Sequence, residues 1–306
     1  VPEPAGLREP VVLVCDLDVF TKDNEVAGLA HAFADLLRRD LFCVQKLTVL
    51  PYDDSEVSVR PFFLKKNVLK EVCEAHGADV VITGLLGVQE RKAVVELHVY
   101  DMVSNALLLK TEVSGDKSAI ADLEKQLVGE IVKSLHIELQ PDERKKIQAQ
   151  QSKNSNAFVY YGLGLVYEKR GKDVDALIAY QNAIADDPVL ALPCAGEARV
   201  FKRLNAPEKA IQSYQEAVRR DPYFADAWYR LNLYAVQYEE NDELAVDYCR
   251  SALDIAPLFG KARLSLGTRL HDLGRLDEAI EETRKAAAIL RVDPIPAYNL
   301  GVYYFE

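Results

Sequence analysis

Apolar and polar positions follow two regimes along this chain. Up to about residue 140, strand and helix periods are mixed. Val11–Val14 is a continuous apolar run, as expected of a strand covered on both faces. Glu25–Leu41 then places Val26, Leu29, Ala30, Phe33, Leu36 and Leu37 on one helical face. Cys43–Leu50 reads as a second strand stopped by Pro51. Leu64–His76 reads as a second helix with Gly77 as its C-cap. Ala78–Leu86 is a third strand. Ala93–Tyr100, with Val95, Leu97 and Val99 on one face, and Ala106–Val113 form a hairpin about a turn at Asp101–Asn105. Ser118–Leu139 carries a helical stripe of Ile120, Leu123, Leu127, Ile131 and Leu135. The order β-α-β-α-β-β-β-α predicts an N-terminal α/β domain with a mixed sheet over residues 1–140.

Beyond residue 156 only the helical period remains, and it repeats. DALIAYQNAIADDP (175–188), EKAIQSYQEAVRRDP (208–222) and ELAVDYCRSALDIAP (243–257) share small residues about a turn apart and a closing proline. Pro188, Pro222 and Pro257 are 34 and 35 residues apart. Small residues let paired helices approach, large ones fill the holes between them, and each proline stops a second helix. Tyr160, Leu163, Gly164, Tyr167, Ala176, Tyr180 and Ala183 carry the same pattern through the first block. It resembles the tetratricopeptide repeat, which implies an all-α solenoid over residues 157–306 with four full repeats and the start of a fifth. Cys194 stands where that repeat usually has a large aromatic. The fifth begins at Ile295 and stops inside its first helix, so the natural chain is expected to continue, with Tyr298, Tyr303 and Phe305 exposed here. Residues 141–156, with Pro141 and a polar run, read as a connector between two separable folded units, either a boundary or a solvent-exposed helical spacer.

Charge narrows the classes. The net charge is −11, of which residues 1–140 carry −8. Such a chain lacks the basic footprint of a nucleic-acid binder. No apolar run approaches the roughly 20 residues that span a bilayer. Val1 is not an initiator Met, so the start reads as processed or trimmed, and a removed signal or anchor stays open. The five cysteines (Cys15, Cys43, Cys73, Cys194, Cys249) form no CxxC and read as buried free thiols, which suits a reducing compartment. The histidines have no metal-ligand spacing, and neither a metal nor a cofactor is expected.

One stretch raises a catalytic alternative. In VVLVCDLDVF, Asp16-Leu17-Asp18 resembles the first motif of haloacid dehalogenase-type phosphatases, which implies Asp16 as nucleophile and Asp18 as acid/base. That chemistry also needs a hydroxyl ending a second parallel strand, a lysine for the phosphate and a late acidic pair for Mg²⁺. Thr83 could supply the hydroxyl. Gly115-Asp116 with Asp122 has the wrong spacing and follows a hairpin, not a crossover. An acidic loop that leaves the strand and caps the first helix, through Asp16, Asp18, Asp23 and Asn24, is the better reading. Gly84 and Gly87 read as turn residues ahead of phosphate binding, and no enzyme is expected.

Three segments carry a second resemblance: VVLVCDLDVFTKDNEVAGLAHAFADLL, AHGADVVITGLLGVQERKAVVELHVYDMVSNALLLKTEV and LVGEIVKSLHIEL. Together they look like the TolB amino-terminal domain, which is also similar to part of the curli-secretion channel subunit. Cys15-Asp16 stands where that family usually has Pro-Phe. The resemblance implies a recognition module of a bacterial cell-envelope assembly on the periplasmic or extracytoplasmic side. It leaves membrane association and self-association open. The alternative it implies is the extracytoplasmic sensor half of a membrane-anchored regulator.

Resemblance to the tetratricopeptide repeat also implies a groove lined by the first helix of each repeat. Its positions fall on Tyr161, Leu165 and Lys169; Arg199, Lys202 and Arg203; Tyr229, Leu233 and Gln237; and Leu264, Thr268 and His271. Aromatic anchors with a basic spot predict a protein partner that offers an acidic or amphipathic segment. Tyr161 and Leu165 replace the Lys and Asn of the family's chaperone-binding carboxylate clamp, so a chaperone-tail adaptor is not expected.

Overall fold

The computed structural model describes residues 9–51, 66–149 and 154–305. The first half is a five-stranded mixed sheet. Strands β1 (Val11–Val14), β2 (Thr48–Val49), β3 (Val80–Gln89), β4 (Lys92–Asp101) and β5 (Ala106–Asp116) lie in the order β2-β1-β3-β4-β5. β1 runs parallel to β2 and β3, whereas β3, β4 and β5 form an antiparallel meander. Helices α1 (Asn24–Leu41) and α3 (Ile120–Ser134) contribute to the core on one face of the sheet, with Val12, Val14, Ile82, Val95, Leu97 and Val113. Helix α2 (Lys66–His76) covers the other face over β1 and β3, where Leu69 and Cys73 meet Leu13, Cys15, Val81 and Met102.

Two sequence expectations for this half change. β2 is only two residues long, because Cys43, Val44 and Leu47 follow α1 as buried turns in the core. Neither Gly84 nor Gly87 is a turn residue, since both lie inside β3. A Cβ on Gly84 would fall 2.3 Å from Leu17 and 2.4 Å from Leu97, so only glycine lets those leucines close over the strand.

The second half is built of helix pairs: α5 (Ser155–Lys169) with α6 (Asp173–Asp186), α7 (Leu192–Arg203) with α8 (Pro207–Arg220), α9 (Ala225–Tyr238) with α10 (Asp242–Ile255), and α11 (Gly260–Asp272) with α12 (Leu276–Ile289). A single helix, α13 (Ile295–Phe305), follows. Close approach within a pair uses the expected small residues. A Cβ on Gly164 would fall 2.3 Å from the Tyr180 ring. Tyr298 and Phe305 are exposed on α13, as anticipated. Tyr303 is not: it is buried and stacks on His271 with ring centroids 4.4 Å apart.

The two halves share one core. A continuous apolar cluster runs from Val12 on β1 through α1 and the repeats to Ala262 on α11. The expected polar connector contains a packed helix, α4 (Pro141–Gln148), in which Glu143, Lys146 and Ile147 are buried. Glu143 accepts hydrogen bonds from the backbone N–H of Gln140 (2.6 Å) at its own N-terminus and of Gln45 (2.7 Å) beyond α1. The loop after α12 returns to the sheet domain, where Arg291 pairs with Asp79 at 2.7 Å. The solenoid therefore curls around the α/β domain.

Candidate functional site

The surface made by the first helices of the repeats is where a partner was expected, and α1 already lies on it. Gly28 of α1 meets Gly162 of α5 backbone to backbone; a Cβ on Gly162 would lie 2.2 Å from the Gly28 carbonyl carbon. One turn at a time, α1 adds polar contacts along the same face. The Tyr161 hydroxyl donates to Asp35 at 2.6 Å. Arg39 forms a two-pronged pair with Asp221, both bonds at 2.7 Å, and also donates to the Lys146 carbonyl. Phe42, just past the helix, packs on Phe259 with centroids 5.0 Å apart.

The expected groove residues accordingly have different fates. Tyr161 is fully buried and Leu165 nearly so, both within the shared core, so neither is open to a second chain. Lys169 reaches back to Asp16 in the loop after β1. Arg199 grips Glu168 of the preceding repeat through two 3.0 Å bonds, and Arg203 pairs with the same carboxylate and with Asp173. The expected basic spot is thus neutralised within the chain. Burial alone would raise the Glu168 pKa, but Arg199, the Tyr180 hydroxyl and Arg203 outweigh it and hold the carboxyl below its ordinary range. Lys202 stays exposed on the same helix, so Arg199 and Lys202 do not form one patch.

Farther along, Tyr229 packs on Phe259 at 5.0 Å, Leu233 is half-buried and Gln237 is exposed. Leu264 is half-buried. Thr268 donates to the Leu264 carbonyl and accepts from Asn299, and His271 is stacked on Tyr303. The third and fourth repeats therefore keep a partly open surface of Leu233, Gln237, Leu264 and Thr268.

Sequence reasoning missed the α1 contacts. Their signal was present: Gly28, Ala32, Asp35 and Arg39 recur at helical spacing opposite the Leu and Phe stripe, giving α1 a second face of small and polar residues.

Asp16 and Asp18 sit where the acidic loop was expected. Asp16 is held by Arg38 at 3.0 Å, by His31 at 3.3 Å and by Lys169. Burial would raise its pKa, yet the His31 hydrogen bond and the Arg38 and Lys169 charges keep it well below the carboxylate range. Asp18 is buried, and its backbone joins β3 through Gly84 and Leu86. This cluster ties the sheet domain to the first repeat. Among the described residues, no group of three or more His, Cys, Asp or Glu is placed to hold a metal ion. No described helix is long and apolar enough to cross a membrane.

A tetratricopeptide-repeat family model matches residues 194–224, which span α7 and α8. Residues 194–224 carry a tetratricopeptide repeat, and the helix pairs before and after it follow in the same order. Human protein O-mannosyl-transferase TMTC3 is 25% identical over 138 residues, which is 44% of this chain and 15% of that protein. The chain thus spans a small part of that curated relative. Among solved structures, MamA is 23% identical with a TM-score of 0.45, over 49% of this chain and 81% of its own. YrrB, described as a repeat protein with an unusual peptide-binding site, is 22% identical with a TM-score of 0.44, over 53% and 81%.

Proposed function

We propose that this chain is a non-enzymatic protein–protein interaction scaffold. Its repeats hold the α/β domain with one part of their inner surface and take a partner segment with the part that remains. The observation that carries this reading is the seating of α1. An amphipathic helix with small residues and alternating charge already lies on the first helix of the first repeat and reaches the loops after α8 and α10, so the solenoid is built to hold such a segment. The partner surface in this reading is Leu233, Gln237, Leu264 and Thr268. An amphipathic segment with acidic positions suits it. The α/β half is read as a TolB amino-terminal-like recognition domain, and the whole as a subunit of a bacterial cell-envelope assembly on its extracytoplasmic side. The order of strands and helices in the sheet domain supports that reading.

A photo-crosslinking residue placed at Leu264 tests the partner surface, with Ile178 on the outer helix α6 as control. In cells of the native source, position 264 should capture a discrete partner and position 178 should not. Capture at Ile178 alone would move the binding surface to the outer face, and capture at neither would sink the scaffold reading.

A further inference from the structure

Among the described residues, β5 is the long open edge of the sheet. It has eleven residues, ALLLKTEVSGD, contains no proline, and pairs only with β4 among the described residues. An exposed edge of that length is a template for another strand. The backbone groups it presents can be read from the register. The Lys117 N–H donates to the Arg91 carbonyl, so the bonded positions alternate back through Gly115, Val113, Thr111 and Leu109. The N–H and C=O groups of Lys110, Glu112 and Ser114 therefore point to the free edge.

We infer that β5 pairs antiparallel with β5 of a second copy of this chain about a two-fold axis at Thr111, joining two five-stranded sheets into one. Thr111 is the midpoint of Ala106–Asp116, so this register centres the overlap on the regular part of the strand, which ends at the bulge at Leu108. It sets Lys110 opposite Glu112 of the other copy, twice, through backbone groups that both face the edge. Leu109 meets Val113. Beyond Leu109 the strand bulges at Leu108, so the regular pairing is the segment Leu109–Val113. Shifting the register by two residues brings Lys110 onto Lys110 or Glu112 onto Glu112, so charge selects the pairing.

Glu112 supports the occupant independently. It lies directly across from Glu96 of β4, a like-charge pair. Lys110 bridges to Glu96 at 3.0 Å, and Glu112 has no cationic partner among the described residues. The second copy's Lys110 supplies one.

Sedimentation of the full chain should show the 34.2 kDa protomer giving way to a species of twice that mass as concentration rises through the range of about 1 to 100 μM typical of transient contacts. Glu112→Lys and Lys110→Glu should each weaken the dimer about tenfold or more, because each places like charges opposite one another twice. Mixing these two variants should restore a heterodimer, which a folding defect could not do. Ser114→Pro removes only an edge-facing N–H and should leave a folded monomer. Thr111→Cys should form an interchain disulfide on oxidation, as the five native cysteines are buried. A single species of protomer mass throughout, or a dimer indifferent to charge reversal and unrescued by mixing, overturns the proposal. Pairing of β5 with an added extended peptide in place of a second copy would overturn it too.

Discussion

At Gly28 and Gly162 two helices touch through their backbones, and the first methyl group added to either has nowhere to go. A Cβ on Gly28 would lie 2.5 Å from the Gly162 carbonyl carbon, and backbone cannot swing aside as a side chain can. Gly28→Ala and Gly162→Ala should each cost about 1–3 kcal/mol by forcing α1 and α5 apart. The double variant should cost less than the sum, since one separation accommodates both methyls; full additivity in denaturant titrations would argue against a single shared contact. Glu124 on α3 tests the opposite sign. It is fully buried beside Asp40 and Lys125, and neither of its oxygens receives a well-formed hydrogen bond. Burial, and then the neighbouring Asp40 charge, push its pKa from 4.5 up to about 8 despite Lys125. The folded state thus keeps the proton that the unfolded chain releases near 4.5, and stability falls as pH rises between those values. Glu124→Gln cannot ionise and can donate to Asp40. It should be more stable than the parent by on the order of 1–3 kcal/mol near pH 8, with the gap closing towards pH 4.5. A gap that grows on acidification would reverse the assignment.

Among the elements, α1 is the one whose two faces serve two different partners. Fourteen of its 18 residues are buried, far more than one apolar stripe requires. Val26, Leu29, Phe33 and Leu37 join the sheet core, while Gly28, Tyr161-bonded Asp35 and Arg39 face the repeats. Arg39 is nearly inaccessible, so its pairs with Asp221 and Asp40 stand in a low-dielectric setting. Arg39→Ala should cost about 3–5 kcal/mol by leaving buried Asp221 without its cation, while Asp40 keeps Lys125, and Asp221→Asn in that background should recover part of the loss. No recovery would mean that the arginine acts through packing alone. This element also shows what the sequence could carry. The Leu and Phe stripe predicted α1 within a residue of its observed start, and the proline spacing predicted the first three helix pairs, because both signals are local periods. The partner of the second face was not legible. The Arg39–Asp221 pair spans 182 residues, and the Arg199 expected in the groove is spent on Glu168, 31 residues earlier. Long-range charge pairing leaves no period in the chain, so groove positions taken from the repeat pattern mixed open residues such as Gln237 with buried ones such as Tyr161.

The whole molecule behaves, on this packing, as one cooperative body despite its two architectures. The core is continuous from β1 to α11, α4 wedges between the halves, and Arg291 ties the far end of the solenoid to Asp79. Repeat arrays normally unfold in stages because each repeat touches only its neighbours. Here α5, the loop after α8, the start of α11 and the loop after α12 are all tied to the sheet domain, through α1, Phe42 and the Asp79 contact, which supplies the long-range coupling that a free solenoid lacks. Two probes can test this in one titration. Trp228, the only tryptophan, sits on α9 and reports the solenoid by fluorescence. Cys73 lies in the separate core under α2, where burial pushes its thiol up to about 12, so labelling of that site, followed by peptide mass mapping, reports the sheet domain. The two midpoints should coincide, and Arg39→Ala should shift both together. Residues 1–140 alone should then lack a cooperative transition, since the face of α1 that meets α5 would be stripped of its cover. A Cys73 midpoint separated from that of Trp228, with a cooperative 1–140 fragment, would instead mean that the shared core is an interface between two independent folding units.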